Sequence, residues 1–287
     1  MPNAQSTPSD HLCSLLAGTP YRPQRLLGRG RMGEVWLVRH TLIERDFALK
    51  VLHRRHSANP EQRERLWQEA RAMAALEHPN IVEITDLFIA PDGCPCLVME
   101  LLHGHRLDRE LLRRKILPGP EAASLARQAL SALITAHQAR VVHRDIRPEN
   151  LFLHQHSART RVVKLIDFGL ARVIGDGPAT WALRPLELTR TGTVVGSPRF
   201  IPPEVLAGER MGPEGDVYSL GVVMYLCLVG IHSNFDWSTT PVFRPPSQCG
   251  AVECSERLDQ TVLQAVESDR RHRFRSAREF LAALEAT

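Results

Sequence analysis

The segment His143-Arg144-Asp145-Ile146-Arg147-Pro148-Glu149-Asn150, followed by Lys164-Leu165-Ile166-Asp167-Phe168-Gly169, decides how this chain is read. Its pattern is H-R-D-x-x-x-x-N, with D-F-G 22 residues after Asp145. Upstream, Gly28-Arg29-Gly30-Arg31-Met32-Gly33-Glu34-Val35 is G-x-G-x-x-G-x-V. Taken alone that motif is weak, because Gly-rich turns join hairpins in many folds. Its flanks sharpen it: residues 22–39 alternate as two strands around the glycines, not as a strand followed by a helix. This argues against a dinucleotide fold and for a hairpin loop, Leu27 to Val35, closing over phosphates with its backbone N–H groups.

Lys50 follows in the strand-like run Asp46-Phe47-Ala48-Leu49-Lys50-Val51-Leu52. Alternation turns its side chain toward the space below the glycine loop. A solvated strand lysine is the commoner fate of this residue type. Scarcity argues against it: of 36 basic residues only Lys50, Lys115 and Lys164 are lysines. Glu69 stands on the apolar face of a helix expected over 61–76, beside Ala70 and Met73. Its carboxylate can pair with the Lys50 amine and hold it on the α- and β-phosphates, with a solvated helix glutamate as the competing reading.

The chain has 287 residues, 43% apolar and 24% charged, which is ordinary for a protein with a substantial core. The net charge of +4 comes from arginines scattered among nearly as many acids, with no basic run and no aromatic interleaving. A nucleic-acid interface is therefore not expected. Six cysteines at irregular spacing point to a reducing compartment rather than a disulfide framework. Cys94, Cys96, His103 and His105 could be drawn as a zinc tetrad, but an intervening strand separates the pairs by over ~20 Å. The longest apolar run, Leu220 to Ile231, is too short for a membrane span, which needs about 20 residues. With no apolar leader either, a cytoplasmic protein without a membrane segment is expected.

Residues 1–20 are polar and read as a flexible arm. Strand patterns at 22–39, 46–52, 81–89 and 95–101 precede helical patterns at 120–138, 213–230 and 255–267 and from about 276. The expected class is α+β with two lobes: a small β-rich lobe at 21–101, a hinge at 100–104, and a larger, mainly helical lobe at 105–284.

With the motifs in this order, the chain resembles the eukaryotic-type serine/threonine protein kinases of bacteria, over about residues 22–284. The resemblance implies ATP and Mg2+ as cofactors and protein hydroxyls as substrates. It implies that Asp145 orients the attacking hydroxyl and that Asn150 and Asp167 hold magnesium. Met99 would be the gatekeeper, Glu100 to Leu102 the adenine-binding hinge, and Val35, Ala48 and Phe152 the walls around the base. Ile84, Met73, Phe168 and His143 match the stack that links the lobes of active kinases. Glu204 of Pro202-Pro203-Glu204 would pair with Arg273, and Asp216 would support the catalytic loop, although an acid at a helix start is also simply a good cap.

Three departures stand out. Arg147 replaces the usual lysine two residues after Asp145, where either side chain can reach the γ-phosphate. Ser197 replaces a threonine but keeps the hydroxyl. The segment 231–246 carries Pro241, Pro245 and Pro246 where the family has a helix, so that helix looks deleted. Thr189 and Thr191 are expected autophosphorylation sites, with Arg65, Arg144 and Arg172 placed to receive the phosphate. Competing readings are an ATP-binding pseudokinase scaffold and a small-molecule phosphotransferase of related fold. The first predicts loss of Lys50, Asp145, Asn150 or Asp167, and all four are present. The long segment 170–204 ending in P-P-E favours protein substrates over the second.

Overall fold

A computed structural model describes residues 10–30, 33–52, 60–157, 160–168, 198–230 and 242–287. The chain divides into two units: 1–77 with 82–103 and 170–174, and 78–81 with 104–169 and 175–287.

The first unit is built on five antiparallel strands: β1 Tyr21–Arg29, β2 Gly33–His40, β3 Arg45–Leu52, β4 Ile84–Ile89 and β5 Pro95–Glu100. Their order is β1-β2-β3-β5-β4, which puts the lysine strand β3 in the middle. The ladder pairs Val35 with Lys50 and Lys50 with Leu97, and Ala48 with both Leu37 and Met99. Paired residues share a face, so Val35, Ala48, Lys50 and Met99 lie together on one side of the sheet. Trp36, Val38, Leu49, Val51 and Val98 line the other side, where they form a buried core. Tyr21 helps to close that core: its hydroxyl donates to Asp86 Oδ2 at 3.0 Å and its ring stacks on Phe88 at 6.1 Å.

Helix α1, Asp10–Leu15, precedes β1. Over residues 10–20 this differs from the flexible arm expected at 1–20, because Leu12, Leu15 and Leu16 are buried in the sheet core, and residues 1–9 lie outside the described residues. The i, i+3, i+4 spacing of these leucines makes one apolar stripe, outweighed by the polar composition around it when read as sequence. Helix α2, Pro60–Ala74, matches the expected helix over 61–76 closely.

In the second unit, β6 Gly104–Arg106, β7 Leu151–Gln155 and β8 Arg161–Leu165 form a small antiparallel sheet. Helices α3 Leu107–Arg114, α4 Gly119–Gln138, α5 Pro203–Leu206, α6 Pro213–Val229, α7 Glu256–Ala265 and α8 Ala277–Glu285 surround it in sequence. Nearly every residue of α6 is buried, as its continuous apolar run requires. Helices α7 and α8 begin at Ser255 and Ser276, whose hydroxyls accept from the backbone N–H groups of Leu258 and Glu279. Asn80 joins this unit by donating to Val163 O at 2.8 Å, while Leu165 N–H donates to Asn80 O at 2.8 Å. Residues 242–245 are irregular and lead into one 3-10 turn, Pro246–Cys249. The rest of the segment read as a deleted helix, 231–241, lies outside the described residues.

Candidate active site

The sheet unit carries the glycine hairpin and the lysine. Gly30 N–H donates to Gly33 O at 2.9 Å, closing the turn between β1 and β2, with Gly28 opposite Val35 and Arg29 opposite Glu34. Arg31 and Met32 lie outside the described residues. Arg29 and Glu34 are joined across the hairpin at 2.9 Å. Gly33 is required by close approach, because a Cβ there would run into the carbonyl oxygen of Val51. Lys50 is 4% exposed in mid-strand. A buried amine in a sheet is expensive unless something opposes its charge, which sets it apart from an ordinary surface lysine. Arg65 and Glu69 have their backbones in α2, but their side chains lie outside the described part of the structure. Met73 is buried, and Ile84 pairs with Met99, the expected gatekeeper. Glu100 N–H is committed to Glu83 O at 3.0 Å, and Leu102 follows on irregular backbone.

The helical unit carries the H-R-D and D-F-G segments, and their scaffold is a single buried carboxylate. Asp216, in the first turn of α6, is 0% exposed. It accepts from His143 N–H, Arg144 N–H and His137 Nε2, each at 2.8 Å. Two of those bonds fix consecutive amides around Arg144, whose φ of +63° is a left-handed backbone that a non-glycine residue holds only under constraint. His143 completes the loop from within. Its Nδ1 accepts from Asp145 N–H at 3.3 Å and its Nε2 reaches Ile166 O at 3.2 Å, so the ring is the neutral Nε2–H tautomer. Burial pushes its pKa down, outweighing the opposing pull of Asp216 and Asp145. The ring also packs on Phe168 at 4.3 Å, joining H-R-D to D-F-G.

Asn150 Nδ2 donates to both Asp145 O and Asp145 Oδ2 at 2.8 Å. The amide oxygen is then the group Asn150 has to offer a ligand. Asp167 sits at φ +58°, and Ile166 N–H just before it donates to Asn150 O at 3.0 Å. An amide oxygen and a carboxylate are hard oxygen donors, the kind magnesium takes while its other positions stay with water or phosphate. The residues present fit that ion. Arg147 forms a bidentate pair with Glu149, at 2.8 Å through Nε. Phe152 lies on β7, paired with Lys164. Arg273, fully buried, grips Glu204 with two bonds of 2.8 and 3.1 Å, the pair expected from the resemblance. Arg172, Thr189 and Thr191 lie outside the described residues, as does Ser197.

Two features escaped the sequence reading. His137 becomes a partner of Asp216 only when α4 and α6 meet, and no local pattern signals it. Glu110 is a second buried carboxylate: His105, Arg113 and Arg161 surround it at 2.9–3.0 Å. Burial alone would raise its pKa, but these cationic and hydrogen-bonding partners win and hold it at about 2.

The protein kinase domain family matches residues 21–241. The serine/threonine-protein kinase pkn3 of Myxococcus xanthus is 32% identical over 280 residues, covering 93% of this chain and 49% of that protein. PknH of Mycobacterium bovis is 36% identical over 211 residues, covering 74% of this chain and 33% of the relative. The chain thus spans about half, or less, of the length of these curated relatives. Among solved structures, the Mycobacterium tuberculosis PknI kinase domain superposes with a TM-score of 0.71 at 27% identity, covering 95% of this chain and 98% of that one.

Proposed function

The chain belongs to the protein kinase family, and from that premise we propose that it transfers the γ-phosphate of ATP to serine or threonine hydroxyls of proteins, with magnesium as the metal. The observation that carries the reading is the Asp216–His143–Asp145–Asn150 network. It ties the Asp145 carboxylate to the Asn150 amide, the two groups this reading needs for the hydroxyl and the cation, and steadies left-handed backbone beside them, which supports the reading.

In this mechanism Asp145 orients the substrate hydroxyl and takes its proton as that oxygen bonds to the γ-phosphorus, while the bond from the γ-phosphorus to the β,γ-bridging oxygen breaks and ADP leaves. Asn150 and Asp167 are the residues that would hold magnesium, which when bound would supply positive charge to offset that on the phosphate oxygens. Lys50, backed by Glu69, aligns the α- and β-phosphates under the loop Leu27 to Val35. Of the residues assigned to adenine, Val35, Ala48 and Met99 share one face of the sheet, Phe152 stands on β7 of the other unit, and Glu100 and Leu102 are assigned to the edge of the base. With the Glu100 N–H already used by Glu83, its contribution is the carbonyl. Arg147 leaves or shares Glu149 to reach the γ-phosphate. Autophosphorylation on Thr189 or Thr191, read by Arg65, Arg144 and Arg172, belongs to the same proposal, and the Asp216 hold on the Arg144 backbone supports it. The protein works in a reducing, cytoplasmic setting, in keeping with six cysteines that are all free thiols. No helix among the described residues is long and apolar enough to cross a membrane.

The test is phosphate transfer from labelled ATP and magnesium to a generic protein substrate. Asp145→Asn should lower kcat by about 10³-fold or more, with its melting temperature near that of the parent. A variant keeping more than a tenth of the parent rate would remove Asp145 from the chemistry.

A further inference from the structure

Helix α1 lies before the family's matched span, which begins at Tyr21, yet Leu12, Leu15 and Leu16 are each no more than 4% exposed. They enter the core on the side of the sheet away from Lys50, among Trp36, Leu49, Val51 and Val98. The two edge strands, β1 and β4, are the farthest apart in the sheet order. Tyr21 on β1 nevertheless bonds to Asp86 and stacks on Phe88, both on β4. That contact is possible only if the sheet curls, and the leucines of α1 fill the hollow side of the curl.

Strand β3 runs through the middle of this arrangement. Leu49 and Val51, the neighbours of Lys50 in the chain, point into the hollow, and Lys50 points out of the opposite face. The angle of Lys50 is therefore set by how firmly its two neighbours are gripped, and close-packed interiors transmit such constraints instead of absorbing them. We propose that α1 and the residue after it form a positioning element for Lys50: Leu12, Leu15 and Leu16 complete the packing that holds β3, and so set the lysine for ATP. The proposal rests on Lys50 being the ATP lysine. It adds a segment outside the family's matched span to the working parts of the ATP site.

The experiment compares the parent chain with Leu12→Asp/Leu15→Asp, the milder Leu12→Ala and the conservative Leu12→Met. Three quantities are read at a temperature where all remain folded: amide exchange along β3, ATP affinity by direct binding, and the KM for protein substrate. For the double aspartate variant we expect a melting temperature ~10 °C lower. Its Leu49 to Val51 amides should exchange at least ~10-fold faster, and its ATP affinity should fall ~10-fold while the KM for protein substrate stays within about twofold. Leu12→Ala should move the melting temperature, the β3 exchange and the ATP affinity in the same directions by less, again with little change in the KM for protein substrate, and Leu12→Met should stay within about twofold of the parent. If the double aspartate variant does not fold, Leu12→Ala decides by the same readings. A lowered melting temperature with unchanged β3 exchange and unchanged ATP affinity would make α1 a mere stabiliser and overturn the proposal. Binding and exchange need no turnover, so a parent protein without transfer activity would sink the kinase reading and leave this one decidable.

Discussion

Lys50 sits in mid-strand with ladder partners on both sides, whereas Asp145 follows a residue at φ +63° and Asp167 itself lies at φ +58°. The sheet unit thus presents its chemistry on regular backbone, aimed by the two-residue alternation of a strand and anchored by apolar packing. The helical unit presents its chemistry on irregular backbone, which by itself would relax. What prevents this is a set of buried hydrogen bonds converging on Asp216, with His143 bridging to Ile166 and Phe168. A ladder can aim one side chain along a normal to the sheet. Grouping a carboxylate, an amide and a second carboxylate takes a tighter path, and each left-handed residue on it costs of order 1–2 kcal/mol.

The sharpest way to break this contrast after Asp145 itself is Asp216→Ala. It strands two buried amide donors and His137 at once, each lost bond costing about 1–3 kcal/mol. We expect a loss of roughly 4 kcal/mol by denaturant unfolding, with kcat falling more than ATP affinity. A variant that keeps both would show the loop to be self-supporting.

Glu110 tests the same dependence on buried charge away from the site. Its carboxyl is held at about 2, below the unfolded value near 4.3. Its stabilisation is therefore complete above about pH 4.5 and is lost as pH falls toward 2, amounting to at most about 3 kcal/mol. Glu110→Gln should lower stability at pH 7 and flatten the acid limb of the stability profile. An unchanged profile between pH 5 and 2 would assign acid sensitivity elsewhere.

In the sheet unit the effects should be smaller and steric. Gly33→Ala drives a Cβ into the Val51 carbonyl, whereas a Cβ at Gly28 meets nothing within 4 Å. The first should cost about 2 kcal/mol and the second less than about 0.5 kcal/mol by thermal unfolding. Equal costs would mean that the hairpin adjusts freely and that Gly33 is not a fixed point of the ladder.

Strands alternate and helices repeat, so β3 around Lys50 and α6, with its long apolar run from Leu220, were legible from residue order alone. So were the H-R-D and D-F-G segments, because their residue types and spacing are local. Helix α1 was not, since three leucines among polar neighbours acquire meaning only against the hollow of a curled sheet. Nor could the sequence state that His137 would share Asp216 with residues 143 and 144, 79 and more than 70 positions away. The chain's order determined which side chains are candidates for chemistry and on which kind of element each is carried. Only tertiary structure decided how two strained backbones are held still, because burial and hydrogen-bond partnership belong to pairs of residues brought together by folding and to neither residue alone.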